Sequence, residues 1–184
     1  PSALRVLAED PEVNAPILLH PSHMISMLPR ISWPTLAKFC RLCGADLILN
    51  PTYWSSIPMV SLEEGLRAAQ VLTAPFFHIK RTWPMPCAGM YPGLLPDLVR
   101  EFGTDIIVPA GGGILGHPQG YTAGAKAWIQ AVDAVMEDLP LEEAAKTRPE
   151  LKAAIDHWGV LKRPHTLWLR AAPNYHPKRP EENF

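Results

Sequence analysis

Cysteine, net charge and long apolar runs are all scarce in this chain, and each scarcity excludes a class of protein. Three cysteines in 184 residues, Cys40, Cys43 and Cys87, are too few and odd in number for a disulfide framework, so a reducing, cytoplasmic setting is expected. The formal charge is −1, and a nucleic-acid partner is excluded because neutralising phosphates needs a basic surface. No apolar stretch approaches the ~20 residues that span a bilayer, and no signal-peptide pattern opens the chain. The first residue is Pro1 rather than Met, which leads us to expect a missing or processed N-terminus.

What the chain has is apolar material for one sizeable core, at 47% of residues. It also has 21 prolines, many at the edges of apolar runs (Pro34, Pro51, Pro75, Pro92, Pro109, Pro118), which suits short, well-defined loops. The spacing Cys40-Arg-Leu-Cys43 is that of a redox or zinc pair. It lies in a helical pattern with no second ligand pair after it, so two thiols packed in a core are expected.

Apolar runs and helical patterns alternate. Strands are expected at 15–19, 46–50, within 76–85 and at 106–110, and helices at 32–43, 61–73, 93–102, 123–139 and about 141–158. Ser61 and Glu64 have the spacing of a capping box. In the fourth helix, Trp128, Val132, Val135, Met136 and Leu139 recur at helical spacing. The strands are short and rich in Ile, Leu and Val, as in a parallel sheet covered by helices on both faces. The junctions Gly44-Ala45-Asp46 and Gly103-Thr104-Asp105 form a weak internal echo.

Four strand–helix units are half of an eight-unit barrel of ~250 residues; an open four-stranded sheet is the alternative. In either, function gathers where strands end. His20-Pro-Ser22-His23, the segment Asn50 to Ser56, Cys87-Ala-Gly89 and Gly111-Gly112-Gly113 all fall there. Consecutive glycines after a strand permit unusual backbone angles and bare the main-chain N–H groups, which can hold an anion such as phosphate. A tight turn without a ligand is the other reading.

The run FGTDIIVPAGGGILGHPQGYTAGAKA, with PMPCAGMYPGLLPDLVREFG before it, resembles the C-terminal barrel half of the RuBisCO large-subunit superfamily. It is similar to the RuBisCO-like proteins more than to true carboxylases. LLHPSHMISMLPR, LAKFCRLCGADLILNPTYWSS and PELKAAIDHWG continue the match, over about residues 15 to 159. The resemblance implies phosphate-binding amides at Gly89, Gly111 and Gly112. It also implies departures from a carboxylase. Ser56 stands where a flexible-loop lysine belongs. Ser22 and His23 replace a proton-transfer histidine and a phosphate-binding arginine, Leu49 replaces a histidine, and Cys87 replaces a serine. Carbon dioxide fixation is therefore not expected, and one phosphate suits the site better than two. The family's Mg²⁺ ligands lie on an earlier strand, so a magnesium cofactor would be held by a missing N-terminal half and no metal ligand is assigned here.

The resulting expectation is an α/β chain: residues 1–139 as half of a (β/α)8 TIM barrel, 140–172 as a helical extension and 173–184 as a Pro-rich tail. Completed by the N-terminal half or a second subunit, it would enolise, isomerise or decarboxylate a phosphorylated ketose-type substrate; alone it would be inactive. His20 and His23 are the candidate proton carriers, and Ser22, Ser56 and Cys87 are candidate pocket residues. Tyr53 and Trp54 either line a pocket or cover an interface. His117 braces the glycine loop, His157 and His165 are structural, and Lys80-Arg81 is solvated surface. A homodimer or higher oligomer is implied. The rival expectation is a non-catalytic subunit that completes a split barrel through exposed sheet edges, and a third is an unrelated phosphate-binding barrel half.

Overall fold

Three short strands, β1 (Leu18–Leu19), β2 (Leu47–Pro51) and β3 (Trp83–Cys87), pair in parallel in that order. This computed structural model describes residues 2–25, 27–28, 30–56 and 59–161, with His23 and Ile25 described by their backbone. The end of the expected extension, the tail at 173–184 and His165 lie outside the described residues.

Helices connect the strands. They are α1 (Ser2–Glu9), α2 (Ser22–Ile25), α3 (Trp33–Leu42), α4 (Leu62–Thr73), α5 (Leu95–Phe102), α6 (Gly111–Leu115), α7 (Tyr121–Met136), α8 (Leu141–Ala144) and α9 (Pro149–Trp158), with a 3-10 turn at Pro92–Leu94. The expected long final helix is thus two, broken at 145–148. Helix α1 had no counterpart in the sequence reading. It buries no residue and meets the rest at the α3 terminus, where Arg5 donates to Leu42 O at 2.8 Å.

Pairing Leu47 with Trp83 and Leu49 with Met85 puts those side chains on one face of the sheet. Ile48 and Asn50 point the other way, toward α3 and α4. There Trp33, Leu36, Ala37, Cys40, Ile48, Ala68 and Leu72 form one core. A second core lies around α5, α7, α8 and α9 and includes Trp54, Leu94, Leu98, Trp128 and Leu151.

The expected fourth strand, 106–110, is not a strand among the described residues; it runs beside the core without sheet pairing. The edge of β3 supplies the reason. Trp83 donates to Asp46 O at 2.8 Å, so Trp83, Met85 and Cys87 turn their main-chain groups toward β2. Pro84 and Pro86 therefore face the open edge, and proline has no N–H to donate there. Pro109 removes another donor from the opposite segment.

The capping box is also half realised. Ser61 Oγ accepts the Glu64 N–H at 3.2 Å. The Glu64 carboxylate does not return to Ser61; it accepts the Trp33 N–H at 2.7 Å and so stabilises the start of α3. The late start of β3 has a local cause. Phe76 and Ile79 close a tight bridge, and buried Arg41 donates to the carbonyls of Val71, Ala74, Ile79 and Lys80. That loop consumes the residues that resembled a strand.

Helix α7 corrects the expected apolar stripe. Its buried face is made of small residues, Gly124, Ala127, Ala131 and Ala134, with Trp128. Val132 and Met136 lie on the exposed side with Ile129, and Met136 is 65% exposed. The small face lets α6 and α9 approach closely. The large aliphatic face lines a groove of about 380 Å³ with Leu95, Val99, Ile106 and Val108.

Candidate functional site

In a parallel sheet all strands end at one edge, and that edge gathers most of the candidate residues. His20 directly follows β1, Asn50 and Pro51 end β2, and Cys87 ends β3. Two strand spacings separate the ends of β1 and β3, about 10 Å.

His20 is exposed, and its Nδ1 accepts the Ser22 N–H at 3.2 Å. A neutral ring in this arrangement carries its proton on Nε2, leaving that nitrogen as a donor. Ser22 is exposed at the first position of α2, with His23 next to it on that turn. Ser56 is half-buried in the loop after β2. Leu49 is half-buried in β2, level with Met85, so no ionisable group stands at that point.

Cys87 is half-buried, and burial pushes its thiol up to about 12. It is neutral near pH 7 and can line a pocket, but it is no thiolate nucleophile. Cys40 is also pushed up to about 12, first by burial and then by the neighbouring Cys43, and its sulfur lies 3.6 Å from that of Met24. The described cysteines are unpaired, and no group of three or more His, Cys, Asp or Glu among the described residues can hold a metal ion. Cys40 is packed in the core as expected, whereas Cys43 is only half-buried and stands outside it. The residues present do not fit the implied magnesium.

Past Cys87 the chain turns sharply. Ala88 and Gly89 both have positive φ, +83° and +64°. For alanine this costs roughly 1 kcal/mol or more, a strain the sequence signals only through the glycine. The next loop approaches closely: a Cβ placed on Gly112 would lie 4.0 Å from Gly89 Cα and 3.9 Å from Met90 O.

The three glycines do not use unusual angles, contrary to the sequence expectation. They are the first residues of α6, in ordinary helical conformation. The first helical bond runs from Ile114 N to Ala110 O, and Ala110 supplies no side-chain cap. The N–H groups of Gly111, Gly112 and Gly113 thus precede the helical hydrogen-bonding pattern. Gly111 and Gly112 are exposed, whereas Gly113 is buried. Gly113 is glycine for another reason: a Cβ would stand 2.6 Å from Met90 O and 2.8 Å from Trp128 Nε1.

His117 is buried behind this turn. Its Nδ1 accepts the Gln119 N–H at 3.1 Å, so Nε2 bears the proton and donates to Glu150 O at 3.0 Å. The bracing role expected for it holds. Tyr53 and Trp54 form no exposed face; both are buried, in edge-to-face contact at 5.2 Å. Lys80 and Arg81 form exposed ion pairs with Asp46 and Asp105 at the other end of the strands, away from the site. Sequence reasoning missed Trp158, which stacks on Tyr91 at 5.8 Å. Only its large ring at the end of the helix could have drawn notice.

The fold and this edge define an α/β protein with a parallel sheet and a turn rich in unbonded amides at the strand ends. Residues 30–158 match the family described as ribulose bisphosphate carboxylase large chain, catalytic domain, and the chain belongs to that family. It is 42% identical over 163 residues to 2,3-diketo-5-methylthiopentyl-1-phosphate enolase of Geobacillus thermodenitrificans, covering 86% of this chain and 39% of that protein. It is 41% identical over 150 residues to ribulose bisphosphate carboxylase of Pyrococcus furiosus, covering 82% and 34%. Among solved structures, a rubisco-like protein from Alicyclobacillus acidocaldarius superposes with a TM-score of 0.77 at 40% identity, covering 85% of this chain and 40% of that one. The chain therefore spans between about a third and two fifths of the length of these relatives.

Proposed function

We propose that this chain is the C-terminal part of a RuBisCO-like (β/α)8 barrel, with 1–139 as barrel and the segment from 140 as appendix. Completed by its N-terminal counterpart, it enolises a phosphorylated ketose-type substrate rather than fixing carbon dioxide. Enolase-type relatives lie in the family, and one of them is named for a substrate with a 1-phosphate beside a diketone. That name supports a substrate class here: a phosphate near a carbonyl whose neighbouring carbon gives up a proton.

The observation that carries this reading is the approach of Gly112 to Gly89, with exposed, uncapped amides on the glycine turn. Such amides suit one phosphate. His20 presents Nε2–H and suits the donor side of proton transfer, polarising or protonating the enolate oxygen. Removal of the carbon-bound proton then falls to a second group, for which His23 on the adjoining turn is the candidate. Ser22, Ser56 and Cys87, at or just past the same strand ends, are the candidates to line a substrate pocket. Magnesium would need ligands beyond the described residues, and no step here passes through it.

The exposed aliphatic face of α7 supports the need for completion. Ile129 is 63% exposed, and the groove beside the unpaired segment 106–110 is apolar. A further strand–helix unit of the barrel, from the N-terminal portion or another subunit, fits that face. The same face favours the second reading, a non-catalytic subunit that only completes a barrel.

Titration of the ¹⁵N-labelled chain with inorganic phosphate tests the site. Shifts confined to the amides of Gly89, Gly111 and Gly112 are expected, and their absence at saturating phosphate ends the reading. Mixing the chain with the N-terminal portion of the Geobacillus enolase, Mg²⁺ and its diketone phosphate separates the two roles. Enol formation supports the enzyme; stable association without turnover supports the structural subunit.

A further inference from the structure

Helix α9, outside the strand–helix repeat, touches both loops of the proposed phosphate rim. The indole of Trp158 stacks on Tyr91, two residues beyond Gly89, with 5.8 Å between centroids and 23° between planes. The same indole faces the far end of the short helix that the glycines begin: its Cζ2 would lie 3.5 Å from a Cβ on Gly116, and its ring is 6.2 Å from that of His117. At the start of α9, Glu150 O takes the His117 Nε2–H at 3.0 Å. Just past its end, Leu161 donates to Gly93 O at 3.1 Å. Gly93 is so close that a Cβ there would stand 2.0 Å from Gly159 O.

The helix is itself anchored. Gln130 on α7 donates to the Glu150 carboxylate at 2.7 Å and accepts the Leu151 N–H at 2.8 Å, while Arg148 donates to Gln130 O at 2.7 Å. These bonds fix α9 against α7, so it can act as a rigid reference for two loops that share no strand pairing.

We propose that His117 and Trp158 are positioning residues: through them α9 sets the spacing between the Gly89 turn and the Gly111–Gly112 turn, and hence anion affinity. This rests on the phosphate reading above. A buried histidine with both ring nitrogens bonded to main chain does more than fill space. It specifies one loop conformation, because any other leaves a buried polar group unpaired.

The test uses the full chain and four variants. His117→Asn keeps an acceptor for Gln119 N–H and loses the reach to Glu150, whereas His117→Gln keeps that reach. Trp158→Ala removes the contact to both loops, and Trp158→Phe keeps the stack on Tyr91 while withdrawing from Gly116. Amide exchange at Gly116 and Gly120, measured without ligand, should quicken roughly five- to tenfold in His117→Asn and Trp158→Ala. Inorganic phosphate, read at Gly111 and Gly112, should bind severalfold more weakly in both, with His117→Gln and Trp158→Phe recovering most of the loss. Unchanged exchange in His117→Asn and Trp158→Ala overturns the proposal whatever phosphate does. Faster exchange with unaltered phosphate affinity overturns the positioning role. If the unaltered chain binds no phosphate while His117→Asn still loosens the turn, the brace stands and the phosphate reading falls.

Discussion

The indole N–H of Trp33 donates to Oδ1 of Asn50 across 2.6 Å, and both side chains are fully buried. The bond joins the first residue of α3 to the end of β2, just below the candidate site. Asn50 Nδ2 is buried with no hydrogen-bond partner, so this one bond is what offsets the cost of burying an amide. Trp33→Phe should cost about 2 to 4 kcal/mol through lost volume and a bared acceptor. Adding Asn50→Leu should return part of that loss. Urea melts of the double-mutant cycle check this; strict additivity would mean that the bond contributes nothing.

Asp46 should govern part of the acid limb of stability. Burial pushes its carboxyl up, but the Lys80 hydrogen bond, the Ile17 N–H and the Lys80 charge together hold it below the ordinary aspartate value. A depressed folded value gives stability that is present above the unfolded pKa of about 3.9 and is lost as pH falls through the folded value. Asp46→Asn should therefore be less stable than the parent at pH 7, with the gap closing toward pH 2. Urea midpoints across that range test it, and parallel curves would count against the coupling.

Two neighbouring glycines should respond oppositely to one methyl group. Gly111 has open space around its missing Cβ and helical angles, so Gly111→Ala should leave stability unchanged or raise it by up to about 1 kcal/mol. Gly113→Ala must move Met90 O or the Trp128 indole and should destabilise by about 1 to 3 kcal/mol. Thermal melts of both variants decide this. If Gly111→Ala is the more damaging, the turn is not the helix described.

Two of the three thiols should react slowly. Cys40 and Cys87 are held as neutral thiols, each pushed up to about 12 by burial, while Cys43 is half-buried near the end of α3. Iodoacetamide at pH 8 should label Cys43 first in the folded chain and all three cysteines in urea. Peptide mass mapping reads the order. Fast labelling of Cys87 would show that the rim is more open than the structure has it.

Much of this was legible in the chain alone, for identifiable reasons. The alternation of apolar runs and helical patterns located three strands and the main helices within a few residues. The glycine and proline punctuation placed the loops, and the run around Gly111 pointed to the family. Local signals failed where a distant partner intervened. Arg41 captures the carbonyls of the loop before β3 and delays the strand, and Glu64 leaves its capping partner for the Trp33 amide. The stripe on α7 was correctly seen as apolar, but periodicity does not say which of two apolar faces is covered.

Composition and periodicity were enough for an α/β chain with parallel strands, because strand and helix periods and glycine freedom are properties of short segments. Three features needed the packed molecule: an unpaired segment at 106–110, the Ala88–Gly89 turn beside Gly112, and the reach of α9 to two loops at once. Each depends on residues far apart in sequence competing for the same hydrogen bonds and the same space, and only tertiary packing resolves that competition.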